Sequence, residues 1–224
     1  MTILTFSSPK EVETQIQRVV EACEQSVKKV VDLALSKEPL GWFYDVKFKE
    51  IGLDGLFHRP QNLVEQINQT FTYLVTFQGI KYLLSHHPES GPYKANPGAR
   101  KNPDIISQDG MVMAEAFAAV HPTNNRKLLN DLERCSQHQA RYKYVFFHSP
   151  SIKAGPYVHK YGFLGIKVLS IGLPEIESIL QEYSELDEKE WLKAAMHNPV
   201  FGFLKEREED IYTPADGKPF HDAR

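Results

Sequence analysis

The sequence predicts an α/β protein in which helices flank a mixed β-sheet, with a helical extension at the N-terminus. Apolar residues recur at helical spacing over the first 36 residues. Two apolar runs, Ile105-Ile106 and Met113–Ala118, then flank the turn signal Asp109-Gly110. A helical pattern at 124–137 follows, and two strand-like runs come after it. The order helix, hairpin, helix, strand, strand is typical of an α/β layout.

Length and composition predict one domain with a buried core, since the chain has 224 residues, of which 42% are apolar and 25% charged. We divide it into an N-terminal helix and extended segment at 1–58 that packs on the core, an α/β core at 59–197 and a polar tail at 198–224. No apolar run approaches the ~18 residues of a membrane span. The N-terminus also lacks the basic start and long apolar region of a signal peptide, so a cytoplasmic location away from membranes is expected. Cys23 and Cys135 occupy apolar positions of predicted helices, which favours small buried thiols over a disulfide framework.

The N-terminal helix is predicted to begin after Ser8 and to end near Ser36. Ser8 and Glu11 have the spacing of a capping box, and Pro9 suits the first helical position. In the segment that follows, the run from Trp42 to Phe48 is the best candidate for a strand.

The pattern from Leu63 to Leu74 favours a second helix, although the alternation from Phe71 to Phe77 would also suit a strand. Prolines and glycines between His86 and Lys101 predict a long loop, and such loops are often functional. Beyond the helix at 124–137, the sequence predicts two strands and then two helices, at 142–147, 163–171, 174–183 and 187–196.

Asp104 and Glu115 are the candidate functional residues. A hairpin turning at Asp109-Gly110 would set their carboxylates side by side at the edge of a sheet, in a geometry suited to a divalent metal. The neighbours of Glu115 are apolar on both sides, so its carboxylate is costly unless a metal, a cation or a hydrogen-bond donor meets it. Two alternatives stay open: a nearby Lys or Arg satisfies Glu115, and Asp104 only caps a turn.

The segments Pro103-Asp104 and Glu115-Ala116-Phe117, with the helix and strand that follow them, resemble the PD-(D/E)XK restriction-endonuclease-like superfamily over roughly residues 60–172. The resemblance implies a restriction-endonuclease-like fold and Mg²⁺-dependent hydrolysis of DNA phosphodiester bonds. It also implies that Mg²⁺ (or Mn²⁺) is held by the carboxylates of Asp104 and Glu115 and the backbone carbonyl of Ala116. These are the hard oxygen ligands that Mg²⁺ prefers.

Phe117 stands where members of this superfamily usually carry a lysine that orients the attacking water and offsets charge on the phosphate. Lys127, early in the following helix, is the first candidate to replace it, and Lys143 on the next strand is the second. The alternative for Lys127 is a pair with Asp131 four residues later, worth ~0.2–0.5 kcal/mol on a helix surface. Glu65, on the preceding helix, matches the place of an accessory acidic residue in some members.

A basic middle segment predicts a nucleic-acid partner. Lys94 to Lys167 contain eleven Lys or Arg against five Asp or Glu, in a chain that totals 26 and 29. Such a segment suits a phosphate-binding groove, and we expect phosphate contacts from four of its residues, Arg100, Lys101, Asn125 and Arg126. The alternative is that these side chains only solvate exposed faces.

The missing lysine also motivates a second functional hypothesis. The chain would then be a catalytically inactive nuclease-fold protein that binds nucleic acid or another protein. A homodimer is expected by analogy with nucleases that cut both strands of a duplex. The tail at 198–224 is either a protein-binding segment or a solvated tail.

Overall fold

The computed structural model describes residues 3–97, 102–163 and 165–177. Its helices are α1 (Pro9–Ser36), α2 (Pro39–Phe48), α3 (Leu63–His86) and α4 (Lys127–Gln137). Its strands are β1 (Leu4–Phe6), β2 (Gly52–Leu53), β3 (Pro60–Gln61), β4 (Tyr93–Ala95), β5 (Ile105–Ser107), β6 (Val112–Ala118), β7 (Tyr142–His148), β8 (Gly155–Pro156) and β9 (Ile166–Ser170). Single 3₁₀ turns lie at Pro88–Ser90 and Asn124–Arg126.

The main sheet is mixed and has the strand order β1-β4-β5-β6-β7-β9-β8. Strands β6, β7 and β9 run parallel to one another, and the other pairings are antiparallel. Helix α3 packs on one face of β6 and β7, and α4 packs on the other face. The predicted α/β class with a mixed sheet flanked by helices is therefore confirmed. Strands β2 and β3 form a separate two-stranded sheet.

Helix α1 begins as predicted. The Ser8 hydroxyl accepts a hydrogen bond from the Glu11 amide, and the Glu11 side chain accepts one from the Ser8 amide. Its buried residues, including Val12 and Ile16, turn toward the rest of the unit, and α1 packs along α3. Gln66 on α3 donates from Nε2 to the carbonyl of Ala22 at 3.3 Å, which ties the two helices together.

Helix α3 lies between α1 and the sheet, and this position explains its ambiguous sequence pattern. The five consecutive residues 73–77 are all buried, so no single apolar stripe marks one face. The helical prediction for 63–74 is confirmed and the alternation from Phe71 to Phe77 is not a strand. The helix continues to His86.

Two local predictions are wrong. The run Trp42–Phe48 is part of helix α2, because Pro39 starts the helix and Lys49 pairs with buried Asp45 at the i,i+4 spacing, 2.9 Å between Nζ and Oδ1. The segment 86–101 is not only a loop, since β4 lies within it and pairs with both β1 and β5. Burial of Tyr93 and Ala95 on this short strand outweighs the surrounding prolines and glycines.

The remaining elements follow the sequence pattern with shifted ends. The strands expected at 142–147 and 163–171 are β7 and β9. Both cysteines are free thiols, Cys135 fully buried and Cys23 half-buried. The chain divides into a unit of residues 1–173 and a second of residues 174–224, of which the described residues 174–177 are helical. The rest of the helix predicted from 174, the helix at 187–196 and the tail lie outside the described residues. Within the described ranges, no helix has the length and apolarity to cross a membrane.

Gly79 sets how closely α3 approaches the sheet. A Cβ built at this position would lie 2.6 Å from Cδ2 of the buried Phe146 ring, whereas a Cβ at Gly41 in α2 would have no atom within 4 Å. We expect Gly79→Ala to lower the free energy of unfolding by about 1–3 kcal/mol through overpacking. Gly41→Ala, the matched control, should leave it unchanged or raise it by up to about 1 kcal/mol through helix propensity. Urea unfolding of both variants measures this, and equal stabilities would contradict the close approach.

Candidate functional site

Asp104 and Glu115 lie opposite each other where the pairing of β5 and β6 ends. The last paired residues are Ile105 and Ala114, so the next antiparallel position sets Asp104 against Glu115. Asp104 Oδ2 accepts a hydrogen bond from the amide of Ala116 at 2.9 Å and so continues the ladder with a side chain. Asn96 fixes the approach to β5 by donating from Nδ2 to the carbonyl of Pro103 at 2.9 Å. The structure therefore brings together the two carboxylates that the sequence singled out.

Glu115 is buried in a central strand and is bound by an arginine. Its side chain is 3% exposed, and Nη2 of Arg134 lies 2.5 Å from its Oε2. Arg134 comes from α4, which covers this face of β6, and its own side chain is 39% exposed. A basic residue thus meets the buried carboxylate, which is one of the alternatives left open by the sequence.

Asp131 is a third carboxylate in the same group. It is 1% exposed, and its Oδ1 accepts from Arg134 Nη2 at 2.9 Å and from Lys127 Nζ at 3.2 Å. Its other oxygen, Oδ2, is buried and has no hydrogen-bond partner among the described residues, and the same is true of Arg134 Nε. The group is therefore only partly satisfied in this arrangement.

The charges of the group do not balance. Burial raises the pKa of Glu115 to about 9, and the charge of Asp104 and a hydrogen bond with its side chain act in the same direction, while Arg134 opposes them. Burial also raises the pKa of Asp131, against the lowering effect of Lys127 and Arg134. Arg134 and Lys127 supply two positive charges to three carboxyl groups. The protonated forms of Glu115 and Asp131 are therefore favoured over what they would be in water.

The other candidate cations lie away from the two central carboxylates. Lys127 is held by Asp131, and its Nζ sits 5.6 Å from the centre of the Phe117 ring. Lys143 donates to the carbonyl of Ser136 at 3.3 Å, near the end of α4. Lys127 thus forms the pair with Asp131 on α4, which was the alternative to its role as the replacement lysine.

The remaining predicted residues are distributed over separate regions. Asn125 and Arg126 are exposed in the 3₁₀ turn before α4, both with left-handed backbone at φ 52° and 56°, so α4 starts at Lys127 and not at Asn124. Glu65 lies in the first turn of α3, where it lines a cleft of about 560 Å³ with side chains of α2 and α3. Arg100 and Lys101 lie outside the described residues.

Phe117 belongs to the core between α4 and the sheet. It is 1% exposed, its ring stacks on Phe147 at 5.7 Å, and it packs in a cluster with Leu128 and Leu132. It shares a face of β6 with Glu115, because side chains two apart in a strand point the same way. The position of the absent lysine is thus filled by a packing residue.

Sequence reasoning missed Asp131 as a member of the site and missed Arg134 altogether. Both lie beside the apolar face of α4, since Leu128, Leu132 and Cys135 are its buried neighbours. An aspartate within a buried helical arc, with a basic residue one turn before and one turn after it, was the available signal. The rotation of α4 about its axis decides which of these side chains reaches Glu115.

The donor set is compatible in chemistry with a hard divalent cation. Asp104 and Glu115 offer carboxylate oxygens, and the carbonyl of Ala116 points to the same side of the strand as the amide that binds Asp104. Asp131 Oδ2 is a further buried carboxylate oxygen, and it has no hydrogen-bond donor within the described part of the chain. In the described part of the chain, however, no three His, Cys, Asp or Glu residues are already grouped to hold a metal ion. Arg134 is the cation that contacts Glu115 in this structure.

Comparison with protein-family models, with curated proteins and with solved structures found no match to this chain. The roles of its residues are therefore inferred from their contacts and from the resemblance of the motif.

Replacing Phe117 tests whether it fills the core. We expect Phe117→Ala to lower the free energy of unfolding by about 3–5 kcal/mol, because the cavity would lie in a close-packed cluster. Phe117→Lys should destabilise at least as strongly, since it buries a charge beside Lys127. Phe43→Ala is the matched control, because Phe43 is 64% exposed on α2, and it should change stability by less than about 1 kcal/mol. Chemical denaturation gives these values, and a stable Phe117→Lys variant would contradict the core assignment.

The raised pKa of Glu115 predicts a stability that depends on pH. Between about 4.5 and about 9 the folded state binds more protons at Glu115 than the unfolded state does, so its contribution to stability falls as pH rises through that window. The slope for one proton is at most about 1.4 kcal/mol per pH unit. Glu115→Gln, a neutral isostere that can still accept from Arg134, should gain stability over wild type as pH increases from 6 to 8.

Urea unfolding at several pH values measures this difference. Glu133→Gln, an exposed substitution on the same helix α4, is the control and should follow the wild-type curve. Parallel pH curves for wild type and Glu115→Gln would mean that Glu115 is fully ionised beside Arg134.

Proposed function

We propose that this chain is a metal-dependent nuclease with a restriction-endonuclease-like fold, which hydrolyses phosphodiester bonds of DNA. The observation that carries the proposal is the pair of carboxylates facing each other at the end of β5 and β6, with Asp104 held by the amide of Ala116. Arg134 contacts only one oxygen of Glu115, so the two opposed acids keep carboxylate oxygens that could bind a metal ion. The choice of DNA follows from the motif resemblance and the basic middle of the chain.

The residues that would hold Mg²⁺ or Mn²⁺ are Asp104 and Glu115, through their carboxylates, and Ala116, through its carbonyl. When bound, the ion would supply a water of lowered pKa and positive charge for the phosphate. Hydrolysis adds water across one P–O bond: the water oxygen bonds to phosphorus, the bond to the leaving sugar oxygen breaks, and that oxygen takes up a proton. The fixed position of Asp104 keeps one carboxylate oriented without help from a ligand.

The positively charged side chains around the carboxylates would bind the phosphate. Lys127 and Arg134 are 41% and 39% exposed, so part of each side chain is open to a ligand while the acids beneath are covered. Asn125 and Arg126 are exposed in the turn that leads into α4, and we assign them to backbone phosphates next to the cleaved bond. Arg100 and Lys101 remain proposals of the same kind.

A second candidate function is favoured by the contact of Arg134 with Glu115. If that ion pair is permanent, the acids are a structural element and the chain is a catalytically inactive nuclease-fold protein. The position of Phe117 in the core supports an inactive protein, because β6 then lacks the lysine that would orient the attacking water. Such a protein would bind nucleic acid or a protein partner and would cleave nothing under any metal condition.

Metal binding and cleavage separate the two functions. We expect wild type to bind Mn²⁺ in calorimetric titration and to cleave DNA with Mg²⁺ or Mn²⁺. Asp104→Asn and Glu115→Ala should lose cleavage by more than about a hundredfold and bind Mn²⁺ at least about tenfold more weakly. Asp32→Asn, an exposed substitution on α1, should match wild type in both measurements.

The titration should be repeated with an uncleavable phosphorothioate duplex, so that a site completed by DNA is also detected. Absence of Mn²⁺ binding in both titrations, together with absence of cleavage, would establish the inactive alternative. Cleavage that survives in Asp104→Asn would place the active site elsewhere.

A further inference from the structure

We propose that the C-terminal end of α1 and helix α2 form a self-association surface, which pairs with the same surface of a second copy of this chain. The inference goes beyond the proposed function and does not depend on it, because it concerns neither Glu115 nor α4. The surface consists of six exposed side chains, Val27, Val31 and Leu35 on α1 and Leu40, Tyr44 and Phe48 on α2.

Helix α1 extends beyond the helix on which it packs. The two helices run antiparallel, since Lys81 Nζ near the end of α3 lies 3.4 Å from Glu13 Oε1 near the start of α1, while Gln66 near the start of α3 bonds to Ala22. Residues 27–36 follow the last buried position of α1, and each of them is exposed or half-buried. They lengthen the helix by about 15 Å. About three turns of α1 therefore project past the start of α3.

The projecting part of α1 carries an apolar stripe. Val27, Val31 and Leu35 are four residues apart, so they lie along the same face of the helix. A stripe with this period normally faces another helix or a core. The described residues of the chain nevertheless leave it open to solvent.

Helix α2 buries an acid and exposes its apolar residues, which is the reverse of the usual pattern. Asp45 is its buried residue, and Lys37 at the end of α1 reaches it at 3.7 Å between Nζ and Oδ2. The three surface residues of α2 are exposed instead, and the rings of Tyr44 and Phe48 lie 5.1 Å apart. The ion pair of Lys37 holds α2 against the end of α1, so the two rows of apolar residues belong to one preformed surface.

The area of this surface matches what a stable dimer needs. Its six side chains are between 50% and 84% exposed, which amounts to about 800 Å² of accessible surface for side chains of this size. Specific interfaces bury about 800 Å² on each partner. The largest apolar patch on a typical monomer covers only about 300–600 Å². An apolar surface above that range indicates that a partner covers it.

The stripe of α1 is complementary to itself. If two copies of α1 pack antiparallel about a two-fold axis at Val31, then Val27 of one copy faces Leu35 of the other, and the two Val31 side chains face each other. A smaller side chain meets a larger one on each side of the axis, which suits close packing. A two-fold interface uses the same patch on both copies, so no second surface is required.

The charges around the surface favour a second copy over nucleic acid or a membrane. Residues 27–50 carry five lysines against four Asp or Glu, at interspersed positions. Binding of a phosphate backbone or an anionic lipid surface calls for a predominance of basic residues, which this segment lacks. Two copies of a nearly neutral segment do not repel each other.

Analytical ultracentrifugation of the whole chain tests the inference. We expect wild type to sediment as a dimer at micromolar concentration. Val31→Lys places two like charges at the two-fold axis and should weaken dimerisation by more than about thirtyfold. Val158→Lys is the matched control, because Val158 is an exposed apolar residue between β8 and β9, and it should sediment as wild type does.

A mixing experiment separates loss of pairing from loss of folding. Val31→Glu should also be monomeric by itself, since it too sets like charges against each other. An equimolar mixture of Val31→Lys and Val31→Glu should form a dimer again, because opposite charges then meet at the axis. Variants that had failed to fold would not recover in this way.

Three outcomes would overturn the inference. A wild type that stays monomeric at the highest concentration would exclude a second copy, and its binding to vesicles of phosphatidylserine and phosphatidylcholine would assign the surface to lipid instead. A dimer that Val31→Lys leaves intact would place the interface elsewhere. A mixture that stays monomeric would exclude the pairing of Val31 with itself. Dimerisation that is lost in both variants and recovered in their mixture supports the inference, whether or not the chain binds metal or cleaves DNA.

Discussion

A carboxylate buried in the central strand β6 is the constraint on which the site depends. Glu115 lies between two paired strands and beneath α4, so water cannot solvate it. A buried acid must be neutralised, hydrogen-bonded or kept protonated. Arg134 meets that requirement in part, whereas the charge of Asp104 beside it raises the pKa of Glu115 further. The burial of Glu115 thus explains why an arginine lies against it.

The packing of α4 on the sheet places the arginine that meets Glu115. Leu128, Leu132 and Cys135 anchor the helix on the sheet, and Phe117 fills the space beneath it. This fixes the rotation of the helix, so that Asp131 is carried into the buried layer and Arg134 reaches the strand. Because Phe117 occupies the core, β6 has no place for a cation of its own. Among the described residues, the cations that contact Glu115 and Asp131 both come from α4.

The site has more acidic than basic side chains. Three carboxyl groups share two cations, and Asp131 Oδ2 is buried with no donor among the residues that the structure describes, so the group is not fully satisfied there. Lys127 and Arg134 are paired with acids and are also partly exposed, so only part of each side chain is open to a ligand.

The sequence by itself determined the elements that depend on neighbours along the chain. The capping box at Ser8 and Glu11 starts α1, and the turn at Asp109-Gly110 sets Asp104 against Glu115, since both signals act within a few residues. Burial of Glu115 was also predictable from its apolar neighbours. Tertiary structure alone decided that 42–48 is helical, that β4 inserts between β1 and β5, and that Arg134 meets Glu115. These outcomes depend on contacts between segments distant in the sequence, which override local propensity and fix the rotation of each helix.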